Sequence, residues 1–65
     1  MSNLLIALSI TQLPPGVDIK IYDLGDEMFR LFIWNYPRIN IEIKVDGRQE
    51  PVTISNRLDK ELENL

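Results

Sequence analysis

Arg30, Phe32, Trp34, Tyr36 and Arg38 follow one another at every second position, and they are the residues with most to offer a ligand or partner. In an extended strand, side chains two apart leave the same face, so this spacing gathers three rings between two guanidinium groups on one surface. Such a surface can pack on an apolar patch of another protein or stack on unpaired bases. It holds nothing that could break a covalent bond.

The chain has neither histidine nor cysteine among its 65 residues. That excludes the Ser-His-Asp and Cys-His arrangements and the common zinc sites. Carboxylates remain, and Asp26-Glu27 with Asp23 nearby is the densest set. Neighbouring acids in a loop point in different directions and stay hydrated, and this spacing lacks the periodic oxygen ligands of a calcium loop. Gly16, Gly25 and Gly47 stand singly at turns and form no phosphate cradle. The sequence therefore reads as a chain that is not an enzyme, with no catalytic residue, no metal and no cofactor.

The elements that must position the aromatic run are short. Alternating apolar and polar segments are punctuated by turn residues about every ten positions, the pattern of a small antiparallel β structure. The apolar run within Leu4 to Leu13 reads as a first strand ending at Pro14-Pro15-Gly16. Val17 to Asp23 forms a second, with Val17, Ile19 and Ile21 opposite Asp18, Lys20 and Tyr22. Met28 to Tyr36 forms the third. Ile39, Ile41, Ile43 and Val45 define a fourth by strict alternation. Asp46-Gly47 suits a type I′ hairpin leading into a fifth strand, with Val45 opposite Arg48, Ile43 opposite Glu50, Ile41 opposite Val52 and Ile39 opposite Ile54. From Ser55 the period changes: Leu58, Leu62 and Leu65 mark a short C-terminal helix over 56–65, with Ser55 or Asn56 as its cap.

The expected fold is thus mainly β within an α+β class: one small domain, 1–65, built as a five-stranded antiparallel meander or small barrel-like sheet with a short C-terminal helix. The expected core is Ile6, Leu8, Ile19, Ile21, Leu31, Ile33, Ile41, Ile43, Val52 and Ile54. The third strand carries Phe29, Leu31 and Ile33 toward that core and Arg30, Phe32, Trp34 and Tyr36 away from it. Large rings bury about 150–250 Å² each, so three left in water forfeit on the order of several kcal/mol. Their cover could be the chain's own helix, a second protomer, or a nucleic acid.

A composition of 45% hydrophobic and 26% charged residues fits a folded chain. The net charge of −3 gives no general attraction to phosphate backbones or anionic lipid. A protein therefore comes before nucleic acid as the expected partner. The run Leu4 to Leu8 lacks the basic flank of a secretory leader and is far too short to span a bilayer, so we expect no membrane segment and a cytoplasmic location. A chain this small also gains most from association. The functional expectation is a non-catalytic protein–protein interaction module that self-associates, with a dimer favoured. It would bind or inhibit another protein through Arg30, Phe32, Trp34, Tyr36 and Arg38, in the manner of small modulators that include viral inhibitors. The alternative is a single-stranded nucleic-acid binder using the same strand as a stacking platform.

Overall fold

The computed structural model describes residues 2–35 and 41–63, and among them the chain runs helix, three strands, helix. Helix α1 spans Ser2–Ile10, strands β1, β2 and β3 span Val17–Gly25, Met28–Asn35 and Ile41–Asp46, and helix α2 spans Pro51–Leu62. The strands form one antiparallel sheet in the order β1-β2-β3. This is a small α+β domain, with three of the five expected strands and one helix more than expected.

The three strands follow from their period of two. Ile19 pairs with Ile33, and Ile21 with Leu31, across β1 and β2. Leu31 pairs with Ile43, and Ile33 with Ile41, across β2 and β3. Every apolar set thus lies on one face, as the pleat requires. The β1–β2 hairpin closes on Asp26 and Glu27, both at positive φ (52° and 62°) after Gly25 at 84°. Paired positive φ is what a type I′ turn demands of its central residues, and it sits here rather than at Asp46-Gly47.

Two expected strands are replaced by helices. The first segment is α1, not a strand. An almost continuous apolar run has no resolvable period, and its leucines and alanine are good helix formers. Within it, Leu4, Ala7 and Thr11 are buried at helical spacing. Ile6, expected in the core, is instead 49% exposed.

The fifth strand is absent because Asp46 and Gly47 do not make a two-residue hairpin. Neither takes the left-handed backbone. Asp46 Oδ1 accepts the Arg48 N–H at 2.9 Å, and the Asp46 carbonyl accepts from Gln49 N–H at 3.2 Å. That turns the chain away from the sheet and into α2, where Pro51 occupies the first turn. Proline suits that place because its missing N–H would be unpaired there anyway. The helix therefore starts five residues before the expected 56, its N-cap position is Glu50 without a side-chain cap, and Ser55 lies buried inside it. Val52, paired with Ile41 in the expected ladder, is 61% exposed on α2. The expected Ile39 and Leu65 lie outside the described residues.

Both helices pack on the same side of the sheet. Leu4 and Ala7 of α1 and Ile54, Leu58 and Leu62 of α2 join Phe29, Leu31, Ile33, Ile43 and Val45 in one buried cluster. Leu8, Ile19, Ile21 and Ile41 pack against it half-buried. Where the two helices meet, the Thr11 hydroxyl bonds the Ala7 carbonyl at 2.6 Å and the Ser55 hydroxyl at 2.9 Å, so the buried polar atoms there are satisfied. Gly47 closes the far corner. A Cβ there would stand 2.7 Å from Phe29 Cε2 and 2.9 Å from the Glu27 carbonyl oxygen, which accepts the Gly47 N–H at 2.7 Å. Of the three covers open to the aromatic run, the chain's own C-terminal helix is not the one that covers Phe32 and Trp34, since α2 lies on the other face.

Candidate functional site

Alternation in β2 fixes the site. With Phe29, Leu31 and Ile33 turned to the helices, Arg30, Phe32 and Trp34 must project from the opposite face, which no described helix covers. β1 adds Asp18, Lys20 and Tyr22 to that face, and β3 adds Glu42, Lys44 and Asp46, because the register places Asp18 beside Trp34, Lys20 beside Phe32 and Tyr22 beside Arg30. Glu42 lies beside Phe32 on the other flank and Lys44 beside Arg30.

Side chains meet along the diagonals of this grid and along β2 itself. Tyr22 stands edge-on to Phe32, with ring centroids 5.4 Å apart at 85°. Phe32 stacks with Trp34 at 6.2 Å and 25°. The Lys20 ammonium sits 5.5 Å from the Trp34 ring centroid. Aromatic pairs of this geometry contribute about 0.5–1.5 kcal/mol each, and an exposed cation on a ring about 0.5–1 kcal/mol. The rings thus relieve part of their own exposure: Phe32 and Trp34 are half-buried, while Tyr22 remains 49% exposed.

The charges on this face are mixed. Arg30 Nε lies 3.8 Å from Glu42 Oε1, a separation typical of a weak surface pair, and Nε has no hydrogen-bond partner. Arg30 and Lys44, of like charge, are direct neighbours across the ladder. Lys20, Arg30 and Lys44 are matched in number by Asp18, Glu42 and Asp46, the last of them paired with Arg48 at 3.1 Å.

Of the residues expected to form the site, Arg30, Phe32 and Trp34 share the open face of β2, and Tyr36 and Arg38 lie outside the described residues. Tyr22 and Lys20 join them on the same face, and the pairing of β1 with β2 in this register is what carries them there. Among the described residues no three side chains converge as metal ligands. Asp23 Oδ1 is engaged with the Gly25 N–H at 2.9 Å. A shallow cleft of about 370 Å³ lined by Gln12, Pro14, Asp59, Leu62 and Glu63 pairs no acid with a nucleophile. No helix among the described residues is long and apolar enough to cross a membrane. Set against known proteins, the chain matches no family model, no curated protein and no solved structure.

Proposed function

We propose that this chain is a non-catalytic protein–protein interaction module that self-associates and binds or inhibits another protein through the open face of its sheet. Arg30, Phe32 and Trp34 would form the contact, with Tyr22 and Lys20 beside them. The observation that carries this reading is the row of partly covered rings on a sheet face that neither helix touches. Aromatic and arginine side chains are the residues that most often dominate binding energy at protein interfaces. A cytoplasmic modulator of another protein is the setting in which such a surface would act.

The test is a partner capture with wild-type bait beside Trp34→Ala and Arg30→Ala. Both replaced side chains lie outside the core, so fold is retained and can be checked by circular dichroism. A partner held by wild type and lost by both variants is the expected result. Identical capture by all three would remove the sheet face as the binding surface.

A second reading, single-stranded nucleic-acid binding, draws on the Phe32–Trp34 stack and the lysine over Trp34. It predicts quenching of Trp34 fluorescence by an oligonucleotide at low salt, with Trp34→Ala losing about 1–3 kcal/mol of binding. Unchanged fluorescence at micromolar protein eliminates it.

A further inference from the structure

Helix α1 has an outer face that no other described element covers. Leu5, Ile6 and Ile10 are 51%, 49% and 50% exposed, and Leu13 just beyond the helix is 41% exposed. Positions 5, 6, 9 and 10 form one stripe at helical spacing, opposite the buried Leu4 and Ala7. No residue from 2 to 16 carries a charged side chain. A helix that is apolar all round belongs in an interior, and α1 is covered on one side only.

We propose that this stripe is the surface through which two copies of the chain associate, α1 against α1. The inference takes up the self-association in the reading above but is independent of the sheet face as a binding surface. Three observations select a second copy as the occupant.

The first is charge. Each copy carries −3, so two copies repel except where no charge is brought close, and the uncharged stretch around α1 is that place. A two-fold contact sets the same patch against itself, and an uncharged apolar patch is complementary to itself. A lipid surface is a poorer match, because interfacial helices hold headgroups with Lys or Arg and the first cation here is Lys20.

The second is polar satisfaction. Among positions 5, 6, 9 and 10 Ser9 is the polar side chain, and its hydroxyl already donates to the Ile6 carbonyl at 2.6 Å. Covering the stripe therefore leaves no donor stranded, which is the usual cost of burying a hydroxyl.

The third is area. The four half-exposed side chains present roughly 350 Å² of apolar surface, a size also found on ordinary monomers, so extent alone decides nothing. Two copies would withdraw roughly 700 Å². At the apolar share of about 65% found in homodimers, the full contact reaches about 1,100 Å², near the lower end for specific complexes. A dimer with a dissociation constant in the micromolar range is expected.

Sedimentation across a concentration series tests the assignment with wild type, the double variant Ile6→Lys/Ile10→Lys, Ser9→Glu and Trp34→Ala. Wild type and Trp34→Ala should dimerise alike. The double variant should weaken the dimer at least about a hundredfold by placing like charges in the contact. Ser9→Glu touches no core residue and should weaken it too, so the assignment stays testable if the double variant does not fold. A wild type that stays monomeric at hundreds of micromolar overturns both this inference and the self-association proposed above. Dimerisation that survives the α1 variants but is lost in Trp34→Ala overturns the inference alone and moves the contact to the sheet. A monomeric wild type that binds neutral phosphatidylcholine vesicles would overturn it in favour of lipid.

Discussion

The two helices sit on the same face of the same sheet yet are built on opposite plans. α2 sorts its residues by side: Ile54, Leu58 and Leu62 are buried, while Asn56, Arg57 and Lys60 face water. α1 does not sort them, since Leu4 and Ala7 are buried while equally apolar Leu5, Ile6 and Ile10 are left half in solvent. An amphipathic helix announces both its type and its inner side. A uniformly apolar one announces neither, and only its neighbours decide which side is covered.

The largest expected effect tests that contrast directly. Leu58→Ala should cost about 3 kcal/mol of unfolding free energy by urea titration, because it empties a well-packed site. Ile6→Ala should cost less than about 1 kcal/mol at dilute concentration, since half the side chain is already in water. Equal losses would mean that both helices are equally enclosed, and the contrast would fail. Next in size is Gly47→Ala at the entry to α2, expected to cost about 1–3 kcal/mol because the added methyl would press on the Phe29 ring and the Glu27 carbonyl. Thermal unfolding of that variant unchanged from wild type would show that this corner yields freely.

Ser55→Ala, at the contact between the helices, should cost about 1 kcal/mol and should leave the sheet face as it was, read by Trp34 fluorescence. The smallest effect concerns the turn before α2. The side-chain and backbone hydrogen bonds from Arg48 hold the Asp46 carboxyl below its usual pKa of 3.8. A carboxyl depressed in the folded state stabilises it above the ordinary carboxylate range, and that contribution is lost as pH falls through the lowered value. Asp46→Asn should therefore flatten the acid end of the stability profile slightly. A steeper acid loss in the variant would reverse the sign.

Legibility in the sequence followed the same division. β1, β2 and β3 could be read from alternation, and with them the shared face of Arg30, Phe32 and Trp34, because period two is a local property of the chain. The second half of α2 could be read from Leu58 and Leu62. Its beginning could not, because Pro51 suits both a strand edge and the first turn of a helix, and Val52 and Ile54 imitate strand alternation for three residues. α1 was misread because its apolar run satisfies either period. Which face of the sheet the helices would cover was also beyond reach, since that depends on packing between residues far apart in the chain, such as Leu31 and Leu58 in the one buried cluster.

The Thr11–Ser55 hydroxyl pair has a consequence for how α1 is oriented. A cylinder greasy on every side could roll about its axis with little change in hydrophobic energy, showing now one flank and now another. Anchoring Thr11 to Ser55 favours a single azimuth, because any other would break that bond and take from the buried Ser55 hydroxyl its partner across the helices, while the Thr11 bond to the Ala7 carbonyl turns with α1. One weak polar latch thus sets which flank of α1 the surroundings meet.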